Sequence, residues 1–376
     1  MKFSISRESF LQPLSQVIGV VERRQTLPVL ANFLIQAHSQ NSAKDPAKGS
    51  RVVITGTDME VEMIAEAAAD VGRDGEITAP ARKLLDIVRM LPDGVKINVS
   101  LDAEKLTFSA GRSRYTLATL PANEFPATDH VESIETVDIQ ENKLKKLLDK
   151  TSFAMANQDV RYYLNGLLFE FKDGGLRTVA TDGHRLAVCD HDGKLDIGQN
   201  RQIIVPRKGV LELSRMLADS DSPVKLGLGK NHIRLIKAGL VLTSKLIDGR
   251  FPDYQAVIPV GTEKKMELDR AAMIHALQRA SILSNEKYKG VRLEAAGNML
   301  KIMAHNPQQE QAEEELEARL TFDQMAVGFN VTYLLDALNA LEAVEIILEM
   351  RDANSSCLIS SVGGSPDQHV VMPLKL

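Results

Sequence analysis

The chain has 376 residues, 45 Lys+Arg against 50 Asp+Glu, a formal charge of −5, 44% hydrophobic and 25% charged residues. That is room for two or three ordinary domains, and the balance excludes a disordered or collagen-like chain. It also argues against a simple basic coat for nucleic acid, which needs an excess of Lys and Arg. No run approaches the ~18 apolar residues that would cross a bilayer. Met1-Lys2-Phe3-Ser4-Ile5-Ser6-Arg7-Glu8 carries charges at once, without the apolar core of a secretory signal. Two cysteines, Cys189 and Cys357, make no disulfide framework, so a reducing, cytoplasmic setting is expected.

In chain order, Ser9–Ile18 reads as an amphipathic helix, and Gln40–Arg51, rich in Ser, Lys, Asp, Pro and Gly, as an extended hairpin loop. An apolar run leads to Thr57-Asp58. Ala79-Pro80-Ala81-Arg82-Lys83-Leu84-Leu85 then reads as a strand turning at proline into a helix, and Leu120-Pro121 and Phe125-Pro126 close the segment. The same order returns. Lys143–Lys150 is a helix, Thr181-Asp182 stands 124 positions after Thr57-Asp58, and Val205-Pro206-Arg207-Lys208 stands 126 after Ala79-Pro80. Leu246-Ile247 and Phe251-Pro252 stand 126 after Leu120 and Phe125. A third helix spans Ala272–Ala280, and Phe329-Asn330-Val331-Thr332-Tyr333-Leu334 follows Val205 by 124. Gln308–Glu317, with five Glu and three Gln, reads as a solvated acidic face or loop.

One repeat is therefore helix, strands, helix, strands in about 125 residues, far longer than a solenoid unit, so each copy should be a domain. The polar stretches Ala127–Glu135 and Val260–Lys265 divide the chain into 1–134, 135–262 and 263–376.

Catalytic signatures are thin. Gly227-Leu228-Gly229-Lys230-Asn231 lacks the first glycine and the hydroxyl of a phosphate loop, and Gly111-Arg112-Ser113-Arg114-Tyr115 lacks the second glycine of a nucleophile elbow. The densest polar cluster is Thr181-Asp182-Gly183-His184-Arg185, continuing to Cys189 and His191. It admits three readings: a structural turn, a binding surface, or a metal-dependent hydrolase using Asp182, His184 and His191. Alternation along a strand makes convergence on one metal ion awkward.

Basic residues recur on the helices and around them: Arg23, Arg24, Arg82, Lys83 and Arg89; Lys143, Lys145, Lys146, Lys150, Arg207, Lys208 and Arg215; Arg270, His275 and Arg279. Such recurrence suits one shared lining that contacts phosphates without reading bases. A domain of this size has a radius of gyration of ~14 Å and behaves as a sphere ~36 Å across. Three touching spheres leave a hole of ~6 Å and six leave ~36 Å, against a duplex roughly 20 Å wide. Two chains, head to tail, could enclose DNA; one could not.

The triplicated order, together with Asp159-Val160-Arg161-Tyr162-Tyr163-Leu164-Asn165-Gly166, Ala180-Thr181-Asp182-Gly183-His184-Arg185-Leu186-Ala187, Ser244–Tyr254 and Val371-Met372-Pro373-Leu374-Lys375-Leu376, closely resembles the bacterial DNA polymerase III β subunits, the β sliding clamps, along the whole chain. The resemblance implies an α+β fold of three similar clamp domains, closed as a homodimeric ring with helices lining the hole and antiparallel sheets outside. It implies no catalysis, cofactor or metal. The implied partners are duplex DNA, a second copy, a clamp loader, the polymerase III α subunit and other proteins carrying a short docking motif with Leu and Phe anchors. On matching positions the peptide pocket would be Leu164, Thr181, Gly183, His184, Arg185, Leu186, Pro252, Val257, Val370, Met372, Pro373 and Leu374, with Asn330 and Tyr333 nearby and His184 and Arg185 at its polar edge. Arg24, Tyr162, Tyr163, Arg207 and Lys208 would contact DNA, and Tyr115, Leu117, Ile282 and Leu283 would form the apolar dimer contact. Leu374 and Lys375 stand where relatives can have Met and Arg, and Ala256 replaces a basic residue found in some. A DNA-independent scaffold dimer is the blander alternative.

Overall fold

The computed structural model describes residues 1–22, 27–40, 49–126, 135–191 and 193–375. Among them are six α-helices: α1 (Arg7–Val17), α2 (Ala81–Met90), α3 (Glu141–Asp149), α4 (Arg207–Met216), α5 (Arg270–Ser281) and α6 (Val331–Ala340). These are the two helices per repeat that the spacing predicts, and α2, α4 and α6 each follow directly on a strand. Capping explains where several begin. Ser6 accepts from the Ser9 amide (3.1 Å), Asp269 from Ala272 (2.7 Å) and Asn330 from Thr332 (2.9 Å). Before α2 the same junction is a proline, Pro80, held extended at φ −55°.

The chain folds as two compact units, Met1–Gln140 with Leu211–Ala218 and Ser222–Leu246, and Glu141–Val210 with Asp219–Asp221 and Ile247–Leu376. In the first unit a five-stranded antiparallel sheet runs Asp70–Arg73, Lys2–Ser6, Lys96–Asp102, Lys105–Ala110, Ser113–Ala118. Its alternation is legible in Lys96–Asp102, where Ile97 and Val99 turn inward. The second sheet of this unit has eight strands and is continuous across a repeat boundary. Leu240–Lys245 pairs antiparallel with Val61–Ala68, from Leu240 opposite Ala65 to Ser244 opposite Val61. Helix α1 lies close on this sheet because Gly56 has no side chain: a Cβ there would sit 2.6 Å from the Val17 methyl.

In the second unit a nine-stranded sheet likewise crosses from one repeat to the next, with Arg185–Asp190 paired to Asp367–Val371. A four-stranded sheet, Gln311–Glu317, Met299–His305, Gly290–Ala296, Gln324–Asn330, packs with α5 and α6 around Met273, Leu277, Phe329 and Leu334.

Three expectations change. Gln308–Glu317 keeps a solvated acidic face but is largely a strand rather than a loop: in Gln311–Glu317 the alternation turns Ala312 and Leu316 toward the core with Glu314 on the same face, paired to Arg279, and leaves Glu313, Glu315 and Glu317 exposed. Lys150 is no solvated lining residue. It is 4% exposed, and its ammonium donates to the Ala340 carbonyl (2.7 Å) and Asp367 (2.9 Å). Arg270 is also committed within the fold, to the Ala343 and Leu338 carbonyls, while Arg279 stays at the surface, its side chain 57% exposed and paired with Glu314. Most of the predicted Gln40–Arg51 loop, and the Ala127–Glu135 boundary save Glu135, lie outside the described residues.

Candidate functional site

The site begins at a tight turn. Strand Gly175–Thr181 ends where the Thr181 hydroxyl donates to the Arg185 carbonyl (2.6 Å) and accepts from the Gly183 amide (3.1 Å). One Asp182 oxygen accepts the amides of His184 (2.9 Å) and Arg185 (3.0 Å). Gly183 closes the turn at φ +87°, in the left-handed region. The result holds His184 out to solvent and returns the chain as strand Arg185–Asp190.

Arg185 turns inward rather than standing at the edge. Its guanidinium donates to Asp182 (3.1 Å), to Asp336 on α6 and to the Phe153 carbonyl (2.7 Å). It also lies over the rings of Tyr333 (4.5 Å to the centroid) and Phe153 (5.4 Å). His184 in turn stacks on Tyr333, centroids 6.4 Å apart and planes at 16°. Asn330 contributes chiefly as the cap of α6, and its amide nitrogen reaches the Tyr288 carbonyl (3.4 Å).

The floor beside this rim is apolar. Leu186 and Val370 face each other across paired strands and are buried with Leu168, Val188, Phe251 and Tyr254, while Tyr163, Ile247, Val257 and Ile258 are half-buried against them. Arg177 fixes the floor from below: it forks onto Asp190 (2.6 and 2.9 Å) and donates to the Tyr254 hydroxyl (3.2 Å), which donates to Glu170 (2.6 Å). Beyond Val370, the Met372 amide donates to the His184 carbonyl (2.9 Å) and the Leu374 amide to Gly328 (2.7 Å), so Met372, Pro373 and Leu374 run half-buried past the turn. Leu164 is buried, and Pro252 is exposed.

Asp159 and Arg161 form a two-point pair (3.0 and 2.9 Å), and Arg161 also donates to the Asp182 carbonyl (3.3 Å). The Arg161 guanidinium holds the Asp159 carboxyl down at about 2. Of the predicted DNA contacts, Tyr162 is exposed and meets Tyr163 edge-on (5.7 Å), while Tyr163 packs toward the floor. Arg207 donates to the Met155 carbonyl (3.1 Å), Lys208 is half-buried on α4, and Arg24 lies outside the described residues. Lys143, Lys145 and Lys146 line a cleft of about 510 Å³ with Asn142 and Glu342. Of the predicted dimer contacts, Tyr115 stacks on Phe108 (5.1 Å), Leu117 is buried, Leu283 is half-buried and Ile282 is 77% exposed.

Hydrolytic chemistry finds no assembly here. The Asp182 carboxylate is spent on two amides and Arg185, and His184 and His191 flank the six-residue strand Arg185–Asp190, which separates them by roughly 20 Å. Among the described residues no group of three His, Cys, Asp or Glu could hold a metal ion, and no helix is long and apolar enough to cross a membrane. Gly229 belongs to a strand-to-strand turn, its amide on the His232 carbonyl (2.9 Å), whereas a phosphate loop runs from strand to helix. Sequence reasoning missed Phe153 and Asp336. Nothing in their local pattern marks them, since both matter through one arginine distant in the chain.

An apolar floor with a stacked His–Tyr rim, on a repeated α+β fold, defines a docking protein rather than a catalytic centre. Comparison with known proteins gives the family. Models described as the DNA polymerase III beta subunit N-terminal, central and C-terminal domains match residues 1–129, 138–253 and 255–375. Proteins named "Beta sliding clamp" from Pseudomonas aeruginosa and Escherichia coli K12 are 47% and 46% identical over the full length of both chains. Crystal structures of the DNA polymerase III subunit beta from Pseudomonas aeruginosa (46% identity, TM-score 0.93) and of pol III beta from Caulobacter crescentus (36%, 0.90) cover all of this chain and are fully covered by it. A further Pseudomonas aeruginosa clamp structure, 47% identical at TM-score 0.93, is described as bound to griselimycin. The chain belongs to the DNA polymerase III beta subunit family.

Proposed function

We propose that this chain is a DNA sliding clamp, a non-catalytic processivity factor that encircles duplex DNA and tethers a replicative polymerase. The observation that carries the reading is the apolar cluster of Leu186, Val370 and Val257, with half-buried Met372 held by its amide to the turn that carries the His184–Tyr333 stack, in a chain 46–47% identical along its whole length to beta sliding clamps. Leu and Phe anchors of a short peptide suit the apolar floor, and the rim supplies an aromatic face. The protein acts in the cytoplasm, on DNA, with a clamp loader that spends ATP and with the polymerase III α subunit among its docking partners.

The working form is a head-to-tail homodimer of three clamp domains per chain, 1–134, 135–262 and 263–376. Two sheet edges support it. Ser113–Ala118 ends the five-stranded sheet with exposed Arg114, and exposed Arg112 in the turn before it, and Gln311–Glu317 ends the four-stranded sheet with exposed Glu313, Glu315 and Glu317. Open edges of opposite charge are complementary strand partners. Tyr115 and Leu117 lie on the first edge strand, and Ile282 and Leu283 follow α5 beside the second sheet. Arg24, Tyr162, Tyr163, Arg207 and Lys208 are the proposed DNA contacts.

The test is topological. Protein loaded on nicked circular DNA should remain through gel filtration and be lost once the circle is cut; equal loss from both forms would overturn the reading. A DNA-independent scaffold would show no retention on either.

A further inference from the structure

We propose that Asp336 is a positioning residue for the docking cleft, acting through Arg185 on the Tyr333–His184 rim; this rests on the peptide-docking reading. Arg185 has five N–H groups. Three are spent on Asp182, on Asp336 and on the Phe153 carbonyl, and both ring contacts of the guanidinium are with Phe153 and Tyr333. The side chain is 12% exposed. An arginine so committed is a strut: it hands geometry to the rim rather than donating mainly to a peptide.

Asp336 decides where the strut ends. It stands three residues after Tyr333 on α6, so its carboxylate and the Tyr333 ring share a helix face. By holding the guanidinium it presses that cation against Tyr333, and Tyr333 stacks with His184. Asp182, on the other side, ties the same guanidinium to the turn that carries His184. Removing the Asp336 carboxylate leaves the guanidinium tied only to Asp182 and the Phe153 carbonyl, no longer held against Tyr333, and the tyrosine becomes free to take several rotamers. A peptide would then have to order the rim on binding.

The competing account is an ordinary, partly exposed ion pair, Arg185 12% and Asp336 35% exposed, with a small effect on folding only. A coupling experiment separates the two. Full-length protein is titrated into a fluorescein-labelled synthetic peptide bearing the Leu and Phe anchors, followed by anisotropy and stopped-flow dissociation. Asp336→Ala should weaken binding about tenfold, mostly through faster dissociation. Asp336→Asn, which keeps an acceptor for the arginine, should recover most of that loss. Arg185→Ala should weaken binding similarly, and adding Asp336→Ala to it should change little further, because the aspartate works through the arginine. Asp336→Ala affinity within about twofold of wild type, or losses that multiply in the double variant, would overturn the proposal. Met372→Asp tests the underlying reading: if that variant binds the peptide as tightly as wild type does, the docking site falls, and the inference with it.

Discussion

At the scale of single residues, the turn at the docking cleft depends on one glycine and one carboxylate. Gly183 has φ +87°, and a Cβ there would lie 3.0 Å from the Arg161 guanidinium. Gly183→Ala should therefore cost about 1–2 kcal/mol in stability from the left-handed backbone, and should loosen peptide binding by moving His184; chemical denaturation and anisotropy would read the two effects. A second residue-scale prediction concerns Lys150. Its ammonium neutralises Asp367, which is 2% exposed. Burial alone would raise the Asp367 carboxyl, but the surrounding donors, Ser365 and Lys150 among them, hold it well below the usual carboxylate range. Lys150→Met should strand that charge and cost about 3–5 kcal/mol, seen as a fall in the denaturant midpoint. The sequence pattern could not reveal this: a lysine at the end of a basic helix reads as solvated until the partner strand is known.

Elements were the most legible scale, for a physical reason. Strand-to-helix junctions need a residue with extended backbone and a helix-starting chemistry, so Pro80, Pro206 and Asn330 recur at the repeat spacing. The turn Thr181–His184 showed itself by its Asp-Gly for the same reason. The sheet seams did not. Pairing of Leu240–Lys245 with Val61–Ala68 is invisible to periodicity, because alternation tells which face is buried and not which strand lies alongside. Glu62 sits at that seam opposite Thr243. Burial pushes its carboxyl up to about 7 from an ordinary 4.5, against the opposing pull of Arg234. The folded state then holds a proton that the unfolded chain has released, so this contribution to stability is full below about pH 4.5 and lost as pH rises through about 7. Melting curves across that window should flatten in Glu62→Gln, by ~1–3 kcal/mol over the range. The sheet edges carry a further element-scale prediction. Glu315→Lys with Glu317→Lys should weaken self-association and make it less salt-sensitive, and Arg114→Glu should restore part of it, as sedimentation velocity would report.

For the molecule as a whole, the charge of −5 changes meaning once retention comes from enclosure rather than from attraction. A clamp needs basic residues only where the duplex passes, and an acidic remainder discourages DNA from adhering elsewhere. Retention on circular DNA should accordingly fall less steeply with salt than it does for a protein bound through phosphates alone. The sheet seams bear on something else, the order of events during synthesis. Strand Arg185–Asp190 pairs at once with Gly175–Thr181 on one side, but its other side finds a neighbour only when Asp367–Val371 exists, 177 residues after Asp190. At a ribosomal pace of about 5–20 residues per second that is a wait of roughly 10–35 s. Throughout it, the apolar residues Leu186 and Val188 border an unclosed hydrogen-bonding edge on the nascent chain. The polypeptide is most exposed to aggregation in that interval, so slowed elongation between residues 190 and 367 should lower its soluble yield, and a chaperone that covers extended strands should restore it.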